Sequence, residues 1–274
     1  MPVRARAALQ RIVKGAAVAA DHLRPPPSGI VVLIYHRVGG GSGLEVDLPT
    51  SAFEAQISGL AASGRVLSLD DAVARLAGPP IAGPSPVVIT FDDGTADFAD
   101  VAVPILARHQ VPATLYAATG FIDEGRAFPH DGTPVSWAGL ADACASGVVT
   151  VGSHTHNHRL LDRLPPEQVA EELDRSIALI GEHLGTPALH FAYPKALLGS
   201  PAAQAAVAER FVSAAVAGTR PNAVGRTDVH RLARSPIQVA DGMASFRRKA
   251  DGGMGLEDQL RRVINRARYV SATT

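Results

Sequence analysis

What most limits the fold of this chain is an alternation of short apolar runs with amphipathic segments, several of the runs ending in polar residues. The runs at 30–35 (IVVLIY) and 86–91 (PVVITF) are continuous rather than alternating, as expected of strands buried on both faces. Further strands are predicted at 113–118, 148–153, 189–193 and 211–217. Helices are predicted at 53–63, 104–109, just after Ser136, at 166–183, and from Pro201 onward. Ser200 followed by Pro201 is a good helix start, because the serine side chain can cap free amides and a proline at the first helical position loses no hydrogen bond. Regular exchange of strand and helix argues for parallel β/α units, closed into a barrel or laid out as a sheet, with chemistry at the C-terminal strand ends.

The 274 residues suffice for one large α/β domain, and 46% hydrophobic content supplies its core. Lysine plus arginine equal aspartate plus glutamate at 26 each, so net charge gives no pull toward nucleic acid or any polyanion. A single cysteine, Cys144, rules out an internal disulfide. Residues 1–27 read as a basic helix carrying Arg4, Arg6, Arg11 and Lys14, followed by a linker at Pro25-Pro26-Pro27; the main domain is expected over 28–274. No apolar run near the start reaches the ~18 residues of a spanning helix, and no convincing signal-peptide cleavage site follows it. A cytoplasmic or membrane-peripheral location is expected over secretion, the N-terminal helix being the candidate for peripheral membrane contact. At the other end, 256–268 has helical spacing and is expected to cover the domain.

Two segments carry chemistry. Thr90-Phe91-Asp92-Asp93-Gly94 places adjacent carboxylates at the end of a buried strand, which is costly unless a cation or a hydrogen-bond network offsets it; the same letters also suit a plain turn. Gly152-Ser153-His154-Thr155-His156-Asn157-His158 also closes a strand. If its backbone formed one helical turn, His154 and His158 would share a side and could bind one ion, with His156 pointing elsewhere as a neighbour. Two imidazoles and a carboxylate suit zinc, with cobalt or nickel as alternatives, and leave a position for water. His109, His130, His183 and His190 are expected at the surface. Trp137 and Phe128 are candidates for core packing or for a sugar-stacking face.

With Tyr35-His36-Arg37-Val38 and Phe191-Ala192-Tyr193-Pro194, these motifs make the chain resemble the polysaccharide deacetylase family, also called the NodB-homology or carbohydrate esterase 4 family, over roughly 30–236. The resemblance implies an irregular (β/α) barrel, a catalytic domain over 28–274, and removal of N-acetyl groups from amino sugars of a glycan or glycan precursor. It implies Asp93, His154 and His158 as ligands of a divalent metal, Asp92 as general base, and an oxyanion and substrate loop at Tyr193, Pro194 and Lys195. The chain departs from the family pattern twice. The third motif lacks the arginine that usually orients the base, for which Arg234 could substitute from another strand. The Leu-x-His motif that usually supplies the general acid is also missing, which leaves His36, with His230 as its rival. An O-acetyl esterase, a small-amide hydrolase and a non-catalytic glycan-binding homologue are the alternatives.

Overall fold

The computed structural model describes residues 14–18, 21, 23 and 25–259. The strands among them are β1 (Val31–Tyr35), β2 (Arg37–Val38), β3 (Asp47–Leu48), β4 (Val87–Asp93), β5 (Ala113–Ala117), β6 (Val149–Ser153), β7 (His190–Ala192), β8 (Ser213–Ala217) and β9 (Leu232–Pro236). The helices are α1 (Thr50–Ser63), α2 (Leu69–Leu76), α3 (Val103–His109), α4 (Thr119–Asp123), α5 (Trp137–Ala145), α6 (Pro166–Leu184), α7 (Pro201–Arg210) and α8 (Gly242–Ala250). Strands β1, β4, β5, β6, β7, β8 and β9 form a closed parallel barrel, β9 pairing back onto β1 through Val32↔Arg234. The barrel is irregular at β6–β7, whose register rests on the single pair Ser153↔Phe191.

All six strands read from the sequence are present. The unpredicted elements are short or terminal: β2, β3, α2, α4, α8 and the closing strand β9. A start signal for α2 is visible in the sequence, since Ser68 caps it by accepting from the Asp71 amide at 3.1 Å.

Alternation along the strands separates two packed regions. Val87, Ile89 and Phe91 point outward into the layer between barrel and helices, where the rings of Tyr35, Phe53, Phe91 and Phe98 pack with centroids 4.9–5.8 Å apart. The other parity points inward: Val88 joins Val32, Tyr116, Ala192, Ala215 and Leu232, closed off by Leu69, Ala72 and Leu76 of α2. Thr90 and Asp92 continue that inward row toward the C-terminal end of β4. His190, expected at the surface, is buried because it belongs to the inward row of β7; its ring nitrogens meet Ser213 Oγ at 2.9 Å and Asp70 Oδ1 at 3.0 Å. His183 lies on a helix, stacked against Trp137 with centroids 4.4 Å apart. Trp137 packs against the core layer, whereas Phe128 is buried and stacks on Phe121 with ring centroids 4.4 Å apart.

Residues 14–18 are helical and Lys14 is buried, ion-paired with Asp241 and Glu257; Asp241 also holds Lys249 at 2.7 Å. The described part of the N-terminal segment is thus seated on the barrel's closing elements. Residues 1–13 of the predicted N-terminal helix, and 260–268 of the predicted C-terminal one, lie outside the described residues. No described helix is long and apolar enough to cross a membrane. Burial alone would raise the pKa of Asp241, but the charges of Lys249 and Lys14 overcome it and hold the carboxyl below its usual value. A depressed carboxyl contributes stability that is present above the unfolded pKa of about 3.9 and is lost as pH falls through the folded value. The urea midpoint is therefore expected to drop between about pH 5 and pH 3, and Asp241→Asn to lower the midpoint at pH 6 while flattening that acid limb. A variant with the wild-type acid profile would refute this.

Candidate metal centre and catalytic site

Asp92 and Asp93 are adjacent at the end of β4 but have different surroundings. Asp92 belongs to the inward row and its side chain is 4% exposed, whereas Asp93 would point outward but for a left-handed backbone (φ 75°), which leaves its carboxylate 28% exposed beside the histidines. Gly94, at φ 103°, completes the turn.

His154 follows β6. Its Nδ1 lies 2.7 Å from the Ala192 carbonyl, which can only accept, so this nitrogen carries the proton and Nε2 keeps its lone pair for the mouth. Nε2 is 3.7 Å from Asp93 Oδ1 and 4.0 Å from Asp92 Oδ2. His158 Nε2 is 3.4 Å from the same Asp93 oxygen, and the two imidazole centroids are 4.8 Å apart. No helical turn brings the histidines together. Residues 154–158 are irregular, with left-handed Thr155 (φ 65°) and His158 (φ 56°), and the segment is braced from outside. The His156 amide donates to the Glu172 carbonyl, its own carbonyl accepts from Gly120, and its ring meets Thr119 Oγ1 at 3.1 Å, which turns His156 away from the centre. Asn157 is held by both carboxylate oxygens of Glu172.

Asp93, His154 and His158 each offer a ligand atom, all within 4.8 Å of one another, so this set could hold a metal ion. The shorter separations approach the about 3.4 Å edge of a tetrahedron with bonds of about 2.1 Å. Protonation also fits. Burial pushes both imidazoles down, His158 to about 4 with further repulsion from His154, so both are neutral lone-pair donors near pH 7.

Beside this set, Arg234 reaches up from β9 and grips Asp92 with two parallel hydrogen bonds, Nη1 to Oδ1 at 2.6 Å and Nη2 to Oδ2 at 2.9 Å. Nη1 also donates to Thr90 Oγ1, which in turn donates to the Leu33 carbonyl. Burial would raise the pKa of Asp92, but Arg234, followed by smaller contributions from His154 and His36, holds it at about 2. Asp92 is therefore a fixed, ionised carboxylate next to the ligand set.

Residues 81–210 match the polysaccharide deacetylase family. The Bacillus subtilis (strain 168) protein YxkH, named as a polysaccharide deacetylase, is 26% identical over 219 residues, covering 80% of this chain and 74% of its own. IcaB from Ammonifex degensii superposes with a TM-score of 0.69 at 26% identity, covering 82% of this chain and 97% of that one. This chain resembles the polysaccharide deacetylase family across the segment that carries Asp92, Asp93, His154 and His158. It is thus a hydrolase of the deacetylase class on the barrel described above. The Streptococcus pyogenes deacetylase PplD, solved with acetate, shares that fold with a TM-score of 0.70 at 20% identity, covering 82% of this chain and 99% of that one.

Other expected residues of this deacetylase fall unevenly. His36 leaves the end of β1 close enough for its charge to act on Asp92, and its Nδ1 is buried with no hydrogen-bond partner among the described residues. His230 is held away from the mouth, its Nε2 2.9 Å from the carbonyl of Phe211, which precedes β8. The Tyr193 amide donates to the Ala215 carbonyl and its ring packs edge-on against Phe191 in the outer layer. Pro194 is buried and has no N–H to offer. Lys195 is exposed and left-handed at φ 56°, and its charge acts on His158. The Ala192 carbonyl and Tyr116, whose ring lies beneath Arg234, were not anticipated. The only hint of Tyr116 in the sequence is an aromatic residue in the small-residue strand ATLYA.

Proposed function

We propose that this deacetylase removes N-acetyl groups from amino sugars of a glycan or glycan precursor, with a divalent ion held by Asp93, His154 and His158, and with Asp92 as general base. The observation that carries this reading is a buried carboxylate, locked by Arg234, beside three convergent ligands. Zinc fits the donor set best, with cobalt and nickel as substitutes. When bound, such an ion supplies Lewis acidity toward the acetyl carbonyl and acidifies the attacking water.

The chain's own groups complete the reaction. Asp92 accepts the water's proton during attack; the bidentate grip of Arg234 weakens its basicity but fixes its direction, and acidification of the water offsets the weaker base. Lys195, the exposed cation next to His158, faces the charge that develops on the acetyl oxygen. His36 delivers a proton to the departing amine, so that acetate and a free amino sugar result. The near-equal counts of acidic and basic residues fit a neutral glycan substrate. Seating of Lys14 within the domain supports an N-terminal segment that belongs to the enzyme unit rather than to a membrane surface.

Acetate release from N-acetylated chitooligosaccharides, compared with acetylxylan and simple acetamides, tests the bond and substrate class. Preference for acetylxylan would replace the amide reading with an ester one. His36→Gln is expected to lower kcat about 100-fold with little change in KM, within the range of general acid catalysis. An unchanged kcat would remove His36 from the mechanism.

A further inference from the structure

Arg234 holds Asp92, and the structure also shows what holds Arg234. Tyr116 is paired in register with Asp92 on one side and with Gly152 on the other. Its ring lies in the barrel interior with the Arg234 guanidinium carbon 4.9 Å from the ring centroid. Both side chains are fully buried. In such a site the negative face of an aromatic ring is a strong seat for a cation, because no water competes for it. Gly152 makes room for this arrangement: a Cβ there would stand 3.0 Å from Tyr116 Cδ1 and 2.5 Å from the His190 carbonyl oxygen. The Tyr116 hydroxyl, by contrast, has no hydrogen-bond partner among the described residues.

We propose that Tyr116 is a positioning residue for deacetylation, its ring seating Arg234 so that the guanidinium fixes the Asp92 carboxylate. Gly152, Tyr116, Arg234 and Asp92 then form one stack from β6 across the barrel to the mouth. This rests on Asp92 being the base. Because the ring touches the cation and the hydroxyl has no partner among the described residues, the role belongs to the ring face and not to the phenol.

The test is steady-state acetate release by the full-length, metal-loaded chain and by the variants Tyr116→Phe, Tyr116→Met, Arg234→Gln, the double variant Tyr116→Met with Arg234→Gln, and Asp92→Asn. Tyr116→Phe is expected to stay within about twofold of wild type. Tyr116→Met is expected to lose about tenfold in kcat, the scale of a desolvated cation–π contact, with KM and zinc affinity unchanged. In the Arg234→Gln background the methionine change should add nothing, since the ring would act only through the guanidinium. A phenylalanine variant as impaired as the methionine one, a methionine variant with wild-type kcat, or losses that simply add would each overturn the proposal. If Tyr116→Met does not fold, Tyr116→Leu takes its place, and the phenylalanine comparison decides independently. An active Asp92→Asn enzyme would instead mean that the base assignment has failed, whatever Tyr116 does.

Discussion

Replacing His154 with alanine is expected to leave a folded barrel that no longer retains zinc and that releases acetate at least about 1,000-fold more slowly. The loss should be this large because His154 is the most constrained ligand: its Nδ1 is locked to the Ala192 carbonyl, its amide donates to Ala117, and its ring is buried. Its removal leaves Asp93 and His158, two partly exposed ligands, where a stable site needs three or four. Asp93→Ala should behave alike. His156→Ala, two residues from His154, should keep metal content and stay within a few-fold in turnover, since its ring is turned toward Thr119. Metal content by elemental analysis, read beside a thermal melt, separates site loss from unfolding. A His154→Ala protein that retains one equivalent of zinc and wild-type activity would end the metal assignment. Chelation of the wild type should mimic the variant, and zinc, cobalt or nickel should restore it.

The same residues show how far the sequence could be read. Apolar runs located the barrel strands because a strand buried on both faces leaves little freedom in its composition. They also fixed the neighbourhood of Asp92 and His154, which sit at strand ends by position alone. What could not be read was direction. The sequence suggested one helical turn for His154 to His158, whereas left-handed Thr155 and His158 do the work, held by Glu172, Thr119 and Gly120 from other elements. His190 and Tyr193 illustrate strand parity: a one-residue difference decides between the interior, the outer layer and solvent, and β7 is only three residues long. Arg234 lies 142 positions from Asp92, and only closure of β9 onto β1 brings the two together.

Arg234→Gln is the second change expected to have a large effect, and its two consequences come from one cause. In wild type the ionised Asp92 carboxylate is buried, and two charge-assisted hydrogen bonds compensate its lost hydration. Glutamine is shorter and neutral, so the carboxylate would be left in the barrel with no countercharge beneath it. Breaking a buried pair from one side costs about 3–5 kcal/mol, which should appear as a clear fall in the urea midpoint at pH 7. The pKa of Asp92 should move up from about 2, since Arg234 is the main influence opposing burial. The stability loss should therefore shrink toward acid pH, where protonation relieves the stranded charge in the variant. Turnover should fall about 100-fold with KM little changed, because a freely rotating carboxylate seldom points at the water, although it is intrinsically more basic. Arg234→Lys should recover part of the stability, as a point charge still compensates the carboxylate, but little of the rate, since an ammonium cannot reproduce the planar two-point grip. Equal recovery of both by lysine would show that Arg234 acts through charge alone and does not orient the base.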